Sequence, residues 1–306
     1  MSYSVEELKY LSSDDEHKIY AKIFIPNGEV KGIVQICHGM NGYIGKYDEV
    51  ASYFADQGYV VCGNTHLGHK DSVNSSNELG FFGEFNGSKY LVDDVRKLTQ
   101  IVEKKFPNKK LFLFGHSMGS FIARAYIIKY GKGLSGVIIS ATAGPQLFID
   151  SGITFLNTVI AKKGYRFRSE KLYRIIFRAA NRQIDSPKND YAWVSKRAEE
   201  FVSSLTKNLF TVTGLRDILL LIKKSNMQDE INKLPKDLPL YFFSGTEDPL
   251  GEYGDGVKRA VKLYEKAEIK DITMKLYEGN RHECLSEDNK AEVLKDMYEW
   301  IEKINI

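Results

Sequence analysis

Cysteine is scarce in this chain of 306 residues: Cys37, Cys62 and Cys284 are the only three. Three unpatterned thiols make neither a disulfide framework nor a zinc cluster. No apolar run approaches the roughly 20 residues that span a bilayer. The N-terminal stretch through Glu7 lacks the basic-then-apolar build of a secretory signal. Neither charge sign dominates, with 43 Lys+Arg against 40 Asp+Glu and a formal charge of +3, which argues against a dedicated nucleic-acid binder. No internal repeat or low-complexity tract breaks the chain. A composition 43% hydrophobic and 27% charged is that of a folded globular protein. The expectation is a reduced, cytoplasmic protein of one large domain or two ordinary ones.

Strand-like and helix-like segments alternate, the pattern of a mostly parallel sheet flanked by helices. Lys18 to Pro26 alternates apolar and polar residues and reads as an early antiparallel strand. Gly32 to Cys37 and Tyr59 to Cys62 read as buried strands, and Leu111 to Phe114, Gly136 to Ser140, Leu238 to Ser244 and Ile272 to Tyr277 as further strands. Helical spacing marks Tyr47 to Gln57, Leu91 to Phe106, the segment ending at Tyr130, Val257 to Glu265 and Lys290 to Lys303. From Pro145 to Lys236, 92 residues carry helical patterns and no convincing strand. That is far too long for one connection, so it reads as a helical insertion.

The strand at Leu111 to Phe114 runs straight into Gly115-His116-Ser117-Met118-Gly119 and then a helix. A serine on such a strand-to-helix turn is exposed in a strained conformation, and the flanking glycines let the two backbones pass closely. The Met118 N–H, at the helix N-terminus, can meet a developing negative charge. Such a serine needs a base, usually a neutral histidine. Of the six histidines only His282 follows the insertion, in a loop after the last strand. The histidine in turn needs a carboxylate. Asp248 directly follows the penultimate strand, with Glu247 as the adjacent rival. A second N–H for an oxyanion fits Met40, in the loop His38-Gly39-Met40 after the Gly32–Cys37 strand, while His38 itself suits a role in orienting that loop. His66-Leu67-Gly68-His69 has metal-like spacing but no third ligand nearby. No metal or organic cofactor is expected.

With these residues in place, the sequence resembles the serine α/β-hydrolases of the monoacylglycerol lipase and lysophospholipase type, a group also described as serine-aminopeptidase-like. The matching elements are His38-Gly39-Met40 with Tyr47, Asn64 to Ser72 with Glu78-Leu79-Gly80, and Gly115 to Ser120. Ala192-Trp193-Val194-Ser195, Phe210-Thr211, Asp248-Pro249 and Arg281-His282-Glu283 continue the match along the chain. Two places depart. The family's usual Asp-His-Arg-Gly-His-Gly loop reads Thr65-His66-Leu67-Gly68-His69-Lys70, and the acid common after the His-Gly-Met element is Gly42 or Tyr43 here. The resemblance implies an α/β-hydrolase fold with residues 1–144 and 237–306 as the core domain and 145–236 as a helical cap over the site. It also implies a catalytic triad of Ser117, Asp248 and His282, and an ester of a single acyl chain as substrate.

The charge is unevenly shared. Residues 145–236 hold 17 basic and 9 acidic residues, a net +8, and the remainder a net −5. Lys171, Arg174, Arg178 and Arg182 fall within roughly 80° on a helical wheel, beside Leu172, Ile175, Ile176 and Ala179. Such a face is either solvated, its long stems covering apolar surface, or a peripheral contact with anionic lipid surfaces. Two other functions share the scaffold: an aminopeptidase or amidase, which would want carboxylates in the cap, and a catalytically silent ligand-binding protein.

Overall fold

In the computed structural model, eight strands form a single sheet in the order β1-β2-β4-β3-β5-β6-β7-β8. The structure describes residues 2–181, 184, 187, 189, 191–197 and 209–305, with the backbone alone at 176–179. The strands are β1 Tyr3–Leu11, β2 Lys18–Pro26, β3 Gly32–Cys37, β4 Tyr59–Asn64, β5 Leu111–His116, β6 Gly136–Ser140, β7 Leu240–Gly245 and β8 Ile272–Tyr277. β1, β2 and β4 pair antiparallel; from β4 onward every pair is parallel. β2 is antiparallel, as its alternation predicts. β1 has no counterpart in the sequence reading. As an edge strand it keeps Glu6, Glu7 and Lys9 in solvent, and so shows little apolar signal while guarding its free edge.

The helices are α1 Asp48–Asp56, α2 Gly87–Lys105, α3 Met118–Tyr130, α4 Ile149–Lys163, α5 Glu170–Asn181, α6 Val212–Ser225, α7 Asp255–Lys266 and α8 Lys290–Asn305, of which α1, α2, α3, α7 and α8 cover the two faces of the sheet. The strand interiors are apolar on both sides because each face meets helices. Phe112, Phe114, Ile138, Tyr241 and Phe243 pack with Phe54, Met297 and Trp300 of α1 and α8. Leu113, Val137, Ile139, Leu240 and Phe242 point the other way, into the core under α2, α3 and α7. Alternation of successive side chains between the faces produces these two cores.

Between β6 and β7 the described residues form α4, α5, α6 and a helical turn at Gln228–Ile231, plus one isolated bridge between Arg168 and Thr211. α6 packs on α3 and α2. Its start is fixed by Thr211, whose hydroxyl accepts from Gly214 N–H at 3.0 Å and donates to the Gly80 carbonyl at 3.0 Å. The side chain of Arg178, on α5, and all of Arg182 lie outside the described residues. Lys171 is exposed, Arg174 pairs with Glu170, and Ile175 is exposed rather than packed.

Candidate active site

Ser117 stands between β5 and α3 with φ 54° and ψ −121°, a left-handed conformation that is costly for a residue with a side chain. Close packing of the surrounding backbone holds it there. A Cβ on Gly119 would sit 2.0 Å from the Cys37 carbonyl oxygen, and one on Gly115 would sit 2.4 Å from the Gly119 carbonyl oxygen. Only glycine fits either place. The Ser117 amide donates to the Ser140 carbonyl at 3.0 Å, so β6 also fixes the turn.

The structure brings Ser117, His282 and Asp248 together from three loops at one edge of the sheet. His282 Nε2 lies 2.8 Å from Ser117 Oγ, and Nδ1 lies 3.0 Å from both carboxylate oxygens of Asp248. With Nδ1–H donating to the carboxylate, Nε2 is left to accept the serine hydroxyl. Asp248 and His282 are buried. Burial by itself raises the Asp248 pKa, but the His282 charge and hydrogen bonds from His282 and Ser244 outweigh it and hold the carboxyl below its ordinary range. Burial likewise lowers His282, and the Asp248 charge and hydrogen bond more than reverse this, raising its pKa. Glu247, the rival acid, turns outward to Lys196 at 3.2 Å and Arg281 at 3.6 Å.

The loop after β3 approaches the serine from the other side. A Cβ on Gly39 would lie 3.2 Å from the Ser117 Cβ. The Gly39 carbonyl receives two hydrogen bonds, from His38 Nδ1–H at 2.8 Å and Gly42 N–H at 3.0 Å. Because C=O and N–H point in opposite directions across a trans peptide, anchoring the Gly39 oxygen also aims the Met40 N–H. Met118 is the first residue of α3, where an N–H has no partner within the helix. Among the described residues, neither the Met40 nor the Met118 amide has a protein acceptor.

His38 accepts from the His66 amide at Nε2, 2.9 Å away. His66 and His69 pack against it, ring centroids 4.1 and 5.0 Å distant. Burial, with the charge of His69, pushes His66 down to about 3, and burial, with the charge of Lys46, pushes His69 down to about 4. The cluster is therefore neutral packing beneath the loop. Among the described residues no set of three or more His, Cys, Asp or Glu is placed to hold a metal ion. Cys284 is a buried free thiol whose Sγ faces the Arg281 carbonyl.

The segment between β6 and β7 contributes a wall, at residues that the family resemblance matched without a role of their own. The Trp193 ring lies 5.0 Å from the His282 ring. The Trp193 and Val194 carbonyls accept from the His282 and Glu283 amides, at 3.4 and 2.8 Å, and Arg281 donates to the Ala192 carbonyl at 2.8 Å. The pocket above Ser117 holds about 650 Å³ of unfilled space open to solvent. Met40, Tyr47, Tyr191, Trp193, Val194 and Leu250 make most of it apolar, with Lys46 and Glu283 as its charged groups.

Comparison with known proteins now fits this geometry. A family model described as serine aminopeptidase, S33, matches residues 28–289. The chain belongs to that family. Among relatives, the human monoglyceride lipase is 26% identical over 287 residues, covering 92% of this chain and 85% of the relative. A monoacylglycerol lipase of Mycolicibacterium smegmatis is 25% identical over 284 residues, covering 93% and 92%. Among solved structures, a thermostable carboxyl esterase from Bacillus coagulans, in complex with glycerol, superposes with a TM-score of 0.92 at 26% identity over 99% of each chain. A monoglyceride lipase of Saccharomyces cerevisiae shares the fold at a TM-score of 0.70 and 20% identity, over 99% of this chain and 96% of that one. The S33 chain described here is thus an α/β-hydrolase with lipase and esterase relatives, as its motifs predict. Among its described residues no helix is long and apolar enough to cross a membrane.

Proposed function

We propose that the protein is a serine carboxylic-ester hydrolase acting on single-chain, lipid-like esters of the monoacylglycerol or lysophospholipid type. The observation that carries the reading is the hydrogen-bonded line Ser117 Oγ, His282 Nε2, His282 Nδ1, Asp248 on a strained turn. His282 takes the Ser117 proton as Oγ bonds to the ester carbonyl carbon, and the carbonyl oxygen gains the charge. The Met40 and Met118 N–H groups meet that oxyanion. Collapse expels the alcohol, which leaves with the proton from His282. Water, deprotonated by His282, then attacks the acyl-enzyme and releases the acid, restoring Ser117. Asp248 keeps the imidazole in the required tautomer and stabilises its protonated form.

Residues 145–236 act as the cap. Its Tyr191, Trp193 and Val194 line the pocket, whose apolar wall suits an acyl chain. The protein works as a cytoplasmic enzyme that meets lipid at a surface. Leu147, Phe148 and Phe155, at and along α4, are 95%, 79% and 55% exposed, and with Lys171 and Arg174 of α5 they are the part that touches anionic lipid. Turnover of a micellar monoacylglycerol, raised by anionic lipid and reduced by Lys171→Glu with Arg174→Glu, tests this contact.

A second reading, an aminopeptidase or amidase, draws on Glu283. It places a carboxylate in the pocket where a substrate amine could sit, although Lys46 shares that pocket. Aryl esters of two to sixteen carbons, a monoacylglycerol and aminoacyl amides, assayed side by side, decide between them. Preference for the amides overturns the ester reading.

A further inference from the structure

Asn41 lies between the anchored Gly39 carbonyl and the wall made by the inserted segment. Its φ of 57° puts it in the left-handed region, inside the turn closed by Gly42 N–H on the Gly39 oxygen. Asparagine tolerates this conformation but does not enforce it. Two contacts hold the residue. Its side-chain Nδ2 donates to the Tyr173 hydroxyl at 2.9 Å, and its carbonyl oxygen faces Lys46 Nζ at 3.4 Å. Tyr173, on α5, is 5% exposed, and its hydroxyl is also hydrogen-bonded to Tyr191, which lines the pocket.

We propose that Tyr173 is a positioning residue for the Met40 amide, acting through Asn41, so that the inserted helix sets the geometry of the oxyanion site. The inference rests on the hydrolase reading above. Met40 has one peptide fixed at the Gly39 oxygen and the other leading into Asn41. Without the Tyr173 contact Asn41 relaxes from positive φ, the turn shifts, and the Met40 N–H swings off the line to the oxyanion. A donor misplaced by a fraction of an ångström loses much of its transition-state stabilisation while ground-state binding is unchanged. Through Tyr191, a substrate lying against the pocket wall reaches the same network.

The test uses the full chain and p-nitrophenyl acetate, an ester with a two-carbon acyl group. Tyr173→Phe and Asn41→Ala each lower kcat about tenfold with KM within about twofold. The double variant loses no more than either single one, since both remove the same link. Affinity for phenylboronic acid, which forms a tetrahedral adduct on serine, falls by the same factor as kcat. A Tyr173→Phe enzyme with wild-type kcat overturns the proposal. So do losses that multiply in the double variant, or a fall in kcat that the boronic acid does not follow. A wild-type chain that neither turns over the ester nor binds the boronic acid overturns the hydrolase reading instead. Asn41→Ala, on a surface loop, keeps the question answerable if Tyr173→Phe fails to fold.

Discussion

The Trp193 indole packs 5.0 Å from the His282 imidazole, and the His282 amide donates to the Trp193 carbonyl at 3.4 Å. A residue of the segment between β6 and β7 therefore forms one side of the slot in which His282 sits. Trp193→Ala removes the ring and keeps the backbone contact. Imidazole misplacement of about 1 Å costs up to 100-fold in rate, so kcat for a short ester falls at least tenfold. An unchanged kcat would show that Asp248 alone fixes the ring.

The pH dependence follows from the same pair. In the proposed mechanism His282 accepts the serine proton only when neutral, and its pKa lies above the ordinary 6.5 because the Asp248 charge and hydrogen bond outweigh burial. Activity therefore falls as pH drops through that raised value, and the acid limb of kcat/KM lies above 6.5. Asp248→Asn removes the charge and leaves the burial. The limb moves to lower pH, while the plateau drops on the order of 10⁴-fold with the lost tautomer. A pH–rate profile of both enzymes checks the direction.

Gly119 tests the turn itself. A Cβ there meets the Cys37 oxygen at 2.0 Å and the His38 oxygen at 2.7 Å, both backbone. Gly119→Ala must push β3's end away from α3, at a cost of about 1–3 kcal/mol, and carry the Met40 loop with it. Chemical denaturation and kcat should fall together. A stable, fully active Gly119→Ala would show that the close approach is dispensable.

Arg124 is a buried cation whose guanidinium reaches the Tyr264 and Thr142 hydroxyls, the Ala143 and Ser225 carbonyls and the Asn226 side chain. It ties α3, which begins just after Ser117, to the end of α6. Arg124→Met leaves those acceptors buried and unpaired, at roughly 2–4 kcal/mol. Urea titration of the variant measures the loss. An unchanged midpoint would contradict this account of the tie.

Much of this was legible because the local rules agree. Leu111 to Phe114 must be a buried strand, Gly115 and Gly119 bracket a tight turn, and Asp248 and His282 each follow a strand of the same sheet. Glu247 stayed a rival to Asp248 in the sequence, since adjacent loop residues differ in where the loop turns them; Lys196 and Arg281 take Glu247 outward. Trp193 was matched by the resemblance without a role of its own, and Tyr173 and Arg124 carried no readable signal. Their partners lie 89, 132 and 101 positions away in His282, Asn41 and Ser225, and no periodicity reports contacts that depend on how an inserted segment folds back. β1 escaped notice for a different reason: an exposed edge strand has little apolar face to display.

The central claim is that Ser117 is the nucleophile of this site. Reaction with a fluorophosphonate, followed by intact-mass measurement, tests it most directly. The account predicts one adduct per chain in the wild type, located at Ser117, and none in a folded Ser117→Ala chain. A wild-type chain that takes no label, or a Ser117→Ala chain that labels as fast as the wild type, would contradict it.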